Sequence, residues 1–144
     1  QLKRLRHKRS YAETFQLEIA TPERLLVDEQ VSQADIPLVN GYIGVLPGHS
    51  PLLGEIGTGG LTYSAGGRSR HMAVAGGWVE VLGGHVRVLA DRAEKADEID
   101  VARAEEARKR ALDRLSRPAA DLDVVRALEA LKRAQARLDV ASKK

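Results

Sequence analysis

The 144-residue chain contains no cysteine, which excludes a disulfide framework and any thiolate-ligated metal site while saying nothing of compartment. Aromatic side chains are scarce, with one Trp, one Phe and three Tyr, so stacking platforms for unpaired bases are few. No apolar run approaches the roughly 18 residues that a membrane-spanning helix needs. The most informative absence is local: all thirteen glycines lie at or before Gly84. After position 90, 26 of the 54 residues are charged and alanine fills most of the gaps.

That break divides the chain into two kinds of structure. Residues 16–90 hold most of the large apolar side chains with only four basic and seven acidic residues, so this segment is the one able to bury a core. The basic excess sits outside it, in Lys3, Arg4, Arg6, Lys8 and Arg9 and in a tail of fourteen basic and twelve acidic residues. The net charge of +3 therefore reflects local patches and does not by itself indicate a nucleic-acid partner. Residues 1–14 lack the apolar stretch of a secretory signal and read as a basic, disordered lead.

Phe15, Leu17 and Ile19 alternate with Gln16, Glu18 and Ala20, the period-two signature of a half-buried strand ending at Thr21-Pro22. A second run from Leu25 to Val31 leads into a strand expected to stop at Pro37. Residues 61–64 and 71–74 flank Gly66-Gly67 at hairpin distance, and residues 78–82 and 85–89 flank Gly83-Gly84 in the same way. Short strands about ten residues apart predict an antiparallel β-sandwich over 15–94.

Past Asp91 the period changes. Asp97 with Asp100 resembles a capping box and complements a helix N-terminus; Ala104, Ala107, Ala111 and Leu115 then recur at spacings of three and four. Pro118 interrupts the helix, Asp121 is placed to cap a second one, and Val124, Leu128, Leu131, Gln135 and Leu138 form its expected seam. Residues 95–144 thus form an antiparallel two-helix hairpin, and the fold class is α+β. Alanine buries little area, so the hairpin is expected to open or relocate readily.

Gly57-Thr58-Gly59-Gly60 has no following Lys and Ser or Thr and precedes a strand, so it reads as turn glycine rather than a phosphate loop. His7, His49, His71 and His85 lack ligand spacing, and neither a metal site nor a catalytic triad is read from them. His49 lies in a turn suited to a partner contact. Arg103 and Arg110, two helical turns apart, share a face, as do Arg133 and Arg137. An antiparallel hairpin brings Arg103 near Arg137 and Arg110 near Arg133, where an anion would relieve their repulsion and guanidinium forks match phosphate oxygens. By spacing alone the favoured reading is a solvated face paired with Asp100, Glu105 and Glu106; the rival function is a freestanding module that binds nucleic-acid phosphates through basic helices.

The stretch Gly41-Tyr42-Ile43-Gly44-Val45-Leu46-Pro47-Gly48-His49-Ser50-Pro51-Leu52-Leu53, together with residues 15–25, Gly76-Gly77 and Leu89-Ala90-Asp91 with Ala93-Glu94, resembles the epsilon subunit of bacterial and chloroplast F-type ATP synthases. In the tail, Ile99-Asp100-Val101-Ala102-Arg103-Ala104 resembles the motif of family members that bind ATP on this subunit. The resemblance implies an ATP site of Glu94, Ile99, Asp100, Arg103, Ala104, Arg110, Arg133 and Arg137, with ATP as regulatory ligand and no metal. It also implies a noncatalytic rotor subunit whose sandwich docks on the gamma subunit and the c ring, with Gly41, Tyr42 and His49 as contact candidates. The hairpin would reach the alpha/beta catalytic head to block ATP hydrolysis. The implied location is peripheral, on the cytoplasmic face of a bacterial plasma membrane, with no nucleic-acid partner and no span of its own.

Overall fold

The computed structural model describes residues 14–117 and 119–143; the expected lead before residue 14 and the expected break at Pro118 lie outside them. Eight strands come first: β1 Phe15–Ala20, β2 Leu25–Val31, β3 Gln33–Leu38, β4 Gly41–Val45, β5 Leu52–Glu55, β6 Thr58–Ala65, β7 Arg68–Leu82 and β8 His85–Lys95. They hydrogen-bond in the order β2-β1-β8-β7-β6-β3-β4, with β5 paired to β7, and fold into a β-sandwich. All pairs are antiparallel except β1 with β8, which run parallel.

The sandwich closes because β7 and β8 bend together. Met72 and Val74 face the core before the bend, whereas Val79 and Val81 face it afterwards, so the inward set shifts by one residue and the strand passes between layers. Gly76 and Gly77 make the bend, with φ of +72° and +110°; a β-carbon on Gly77 would stand 2.0 Å from the Leu89 carbonyl oxygen. The runs 71–74 and 78–82, expected as separate strands, are therefore one strand. β3 continues through Pro37 to Leu38 where a stop was expected: its ladder with β6 ends at Asp35, and beyond it β3 pairs with β4 and bridges from Leu38 to Ile56, while the Pro37 carbonyl accepts from Gly57 N.

Leu17, Ile19, Ile36, Leu61, Val79 and Val88 are wholly buried in the sandwich core. At about 1.5–3 kcal/mol for each large aliphatic side chain buried, this core carries the stability of the chain. The sheet then leads through a single 3-10 turn, Ala96–Glu98, into α1 Val101–Ser116 and α2 Val124–Ala141. Asp100 caps α1 by accepting from Arg103 N at 3.1 Å, and Asp123 caps α2 by accepting from Arg126 N at 3.0 Å. Asp97 and Asp121 were the expected caps; Asp97 instead lies in the 3-10 turn and Asp121 precedes the cap.

α2 lies on β6 and β7, and α1 lies on α2. Their contact runs through alanines: Ala104 and Ala111 of α1 and Ala127 and Ala134 of α2 are buried. The expected seam is displaced, because Val124 and Leu128 are 49% and 42% exposed and Gln135 is exposed as well. Small residues face small residues here, so the backbones approach closely and leave Leu128 exposed and Leu131 and Leu138 only half-buried. A second small core of Ala73, Ala96, Ile99, Val140 and Ala141 fastens the end of α2 to the sheet.

Candidate anion-binding groove

A groove of about 430 Å³ runs between the helical hairpin and the β7–β8 edge, within the range of roughly 300–1,000 Å³ usual for small-molecule clefts. Its charged lining is lopsided. Arg92, Arg103, Arg110, Arg114, Arg133 and Arg137 border it, and Glu94 is the one acid among the described lining residues. Ala93 and Ala107 lie between them, leaving the guanidiniums room to converge on a flat or branched anion.

Each element supplies its share by its own periodicity. Arg103, Arg110 and Arg114 recur at seven and four along α1, while Arg133 and Arg137 are one turn apart on α2. Arg92 and Glu94 alternate along β8 and share a strand face. Glu94 holds Arg137, with Nε 2.6 Å from Oε1 and Nη2 donating to Oε2 at 3.4 Å. The other five arginines have no ion-pair partner among the described residues. Burial holds the Arg133 guanidinium below its usual range, and Arg92 and Arg126 repel it in the same direction against the opposing pull of Glu129.

Of the eight expected site residues, the structure brings five together here: Glu94, Arg103, Arg110, Arg133 and Arg137. The other three lie outside the lining. Ile99 is buried in the second core, Asp100 is the α1 cap, and Ala104 is wholly buried; they position α1 and with it Arg103. Sequence reasoning missed Arg92 and Arg114. Arg114 follows Arg110 by four residues and Arg92 precedes Glu94 by two, so the same face arguments would have found both.

The route into the hairpin is pinned at the 3-10 turn. Arg24, presented by the turn in which Thr21 Oγ1 accepts from Arg24 N at 3.3 Å, donates from both terminal nitrogens to Glu98 at 2.8 Å. Glu98 also accepts from Lys95 N at 3.0 Å. Together these bonds hold its carboxyl at about 2, far below its ordinary 4.5. Beyond the end of α2, His71 lies close to Thr62, with Nδ1 2.9 Å from Oγ1; burial, then the charge of Lys143, keeps its pKa low.

The remaining candidates lie on the sheet. Gly41 opens the edge strand β4, and Tyr42, though 66% exposed, accepts through its hydroxyl from Gly60 N at 3.3 Å. His49 closes a turn, its N donating to the Leu46 carbonyl at 3.1 Å. An apolar patch was not foreseen: Trp78 and Leu89 are directly paired across β7 and β8 and are both about half exposed. They lie on the far side of the Gly76-Gly77 bend from Ala73, on the layer that the helices leave bare. Among the described residues no helix is long and apolar enough to cross a membrane, and no three His, Asp or Glu side chains gather as a metal site requires.

Comparison with known proteins agrees with this architecture. The family model described as ATP synthase, Delta/Epsilon chain, beta-sandwich domain matches residues 14–96, and the one described as the long alpha-helix domain of the same chain matches residues 97–142. The ATP synthase epsilon chain of Solibacter usitatus is 54% identical over 132 residues, covering 92% of this chain and 98% of that one. That of Koribacter versatilis is 50% identical over 104 residues, 72% of this chain and 73% of its own. In fold, the chain is similar to one in the Euglena gracilis mitochondrial ATP synthase, with a TM-score of 0.78 at 23% identity over 90% of this chain and 82% of that one. With both of its parts matched, the chain belongs to the ATP synthase delta/epsilon chain family, as a noncatalytic subunit of that complex.

Proposed function

We propose that the chain is a central-stalk rotor subunit whose sandwich docks on the gamma subunit and the c ring, and whose helical hairpin regulates ATP hydrolysis. The Trp78–Leu89 patch, on the layer away from the helices, supports docking through the sheet, because contiguous exposed apolar surface marks interaction sites. Attachment would be peripheral, through the complex, on the cytoplasmic face of a bacterial plasma membrane.

The groove carries the regulatory reading. Six arginines facing one carboxylate make the closed hairpin electrostatically costly when empty and favourable around a polyphosphate, since charge-assisted hydrogen bonds to phosphate are strong. ATP in the groove therefore favours the compact hairpin over an extended form that reaches the alpha/beta catalytic head. The shift is limited by the difference in ATP affinity between the two forms. Phosphates belong with Arg110 and Arg133, and the ribose or base with Glu94 and Arg103, where the carboxylate repels phosphate and accepts from amino and hydroxyl groups.

Calorimetry of the purified chain against ATP, ADP and GTP tests this reading. Arg103→Ala and Arg133→Ala should each weaken ATP binding by about tenfold or more, at 1.4 kcal/mol per decade, with the fold intact. If both bind ATP as the parent does, the site is misplaced. Steep salt dependence with nucleic acid and indifference to ATP would favour instead the freestanding nucleic-acid module.

A further inference from the structure

The cations of the groove are unevenly distributed along it. β8 pairs Glu94 with Ala73 and Arg92 with Ala75, which gives the groove an acidic end and a basic end. At the first, Glu94 neutralises Arg137. At the second stand Arg92 from the sheet, Arg110 and Arg114 from α1 and Arg133 from α2, with no acid from the groove lining beside them.

Arg92 and Arg133 also border the adjoining hollow, so they flank the place where the two spaces meet. The acids and cations around that hollow are Glu55, Asp91, Glu129 and Lys132. Asp91 is turned toward Gly76, and Glu129, one turn before Arg133, draws on that side chain from its own helix. Neither forms an ion pair with Arg92 or Arg133 among the described residues. Arg92 is exposed and free to swing into the groove. A phosphate chain anchored at the Glu94 end would run toward the basic end and bring its last phosphate between β8 and α2.

We propose that Arg92 is a positioning residue for the terminal phosphate of a nucleoside triphosphate: in the empty groove it repels Arg133 and loosens the hairpin, and a phosphate between them ties α2 to β8. This rests on the nucleotide reading of the groove and adds its selectivity, because a diphosphate anchored at the Glu94 end stops short of Arg92. The same side chain thus acts in both directions, against closure without ligand and for it with the third phosphate present.

The test uses the full chain with Arg92→Gln and Arg92→Lys, titrated by calorimetry with ATP and ADP. Since the chain has no cysteine, Ser69→Cys and Lys109→Cys accept a pair of distance probes that report the closed fraction. Arg92→Gln should weaken ATP binding by about tenfold while changing ADP binding less than about twofold, and should raise the closed fraction without ligand. Arg92→Lys, keeping the charge without the fork, should restore the ligand-free behaviour and only part of the ATP preference. Equal losses for ATP and ADP, no loss in either, or a ligand-free closed fraction that does not move would overturn the proposal while leaving the nucleotide reading in place. No nucleotide binding by the parent chain would overturn both.

Discussion

A β-carbon added to Gly60 would stand 3.1 Å from Val140 Cγ2, so the bare backbone of β6 is what lets the last turns of α2 settle on the sheet. Overpacking of this kind costs about 1–3 kcal/mol. Gly60→Ala should therefore release α2 while leaving the sandwich folded, and Val140→Ala should do so too by emptying the second core, at about 2 kcal/mol. Combined, the two should cost less than their sum, as coupled neighbours do. Amide exchange over residues 124–140, compared with exchange in β7 and β8, reads the effect; unchanged exchange in both single variants would show that this contact does not hold the hairpin.

Capping separates two aspartates that composition alone treats alike. Asp123→Ala should destabilise α2 by about 1 kcal/mol, whereas Asp121→Ala should be nearly silent. Helicity and thermal unfolding of the hairpin distinguish them, and equal effects would contradict the assignment of the cap to Asp123.

The Arg24–Glu98 pair gives the hinge a pH dependence of known sign. Glu98 has a lower pKa folded than unfolded, so its contribution is complete above about pH 4.5 and lost as pH falls toward about 2. Glu98→Gln should remove that acid-dependent portion and bring acid-range hinge exposure forward to neutral pH. Limited proteolysis near residues 96–100 across pH 2–6 checks it; identical profiles for parent and variant would dismiss the pair as a hinge restraint.

Gly77 tolerates no side chain, given its positive φ and the carbonyl 2.0 Å from the missing β-carbon. Gly77→Ala should therefore disturb the strand bend itself, at a cost of several kcal/mol by the sum of strain and overlap (about 1–3 kcal/mol each). Gly83→Ala, with nothing within 4 Å, should be close to neutral. Denaturant midpoints of the two variants give the comparison.

For the exposed patch the expectation is inverted: Trp78→Ser should leave the melting temperature nearly unchanged, since half of the ring is already in water, yet weaken assembly with the gamma subunit by about tenfold or more. Co-purification of the reconstituted stalk reads this out. Undiminished assembly would move the docking surface elsewhere on the sheet.

The hairpins were legible because glycine pairs fall at fixed offsets between alternating runs, and Gly66-Gly67, both at positive φ, fulfil that reading. Gly76-Gly77 carried no hairpin reading and separates two expected strands, 71–74 and 78–82; there positive φ bends one continuous strand instead of reversing it. The parallel β1–β8 pair left no local trace, since it joins residues some seventy positions apart. In α2 the leucine seam was a sound inference from burial by size, but the residues that α2 buries are Ala127, Ala134, Ala136, Val140 and Ala141, because small side chains let it approach α1 and the Gly60 and Ala73 surface of the sheet closely. The arginine cluster was legible from helical spacing, with family resemblance singling out the same four residues; strand alternation with Glu94 could have added Arg92, but its nearness to Arg133 emerges only once the sheet and α2 are packed together.

The second core joins Ala96 and Ile99, where the hairpin leaves the sheet, to Val140 and Ala141, where it ends. Root and clasp therefore coincide, and the turn between the helices is the far tip of a cantilever about 27 Å long, at 1.5 Å for each residue of the 18-residue α2. A ligand seated between clasp and tip acts on the short arm of this lever, so a small change in separation at the groove becomes a larger sweep where the helices turn.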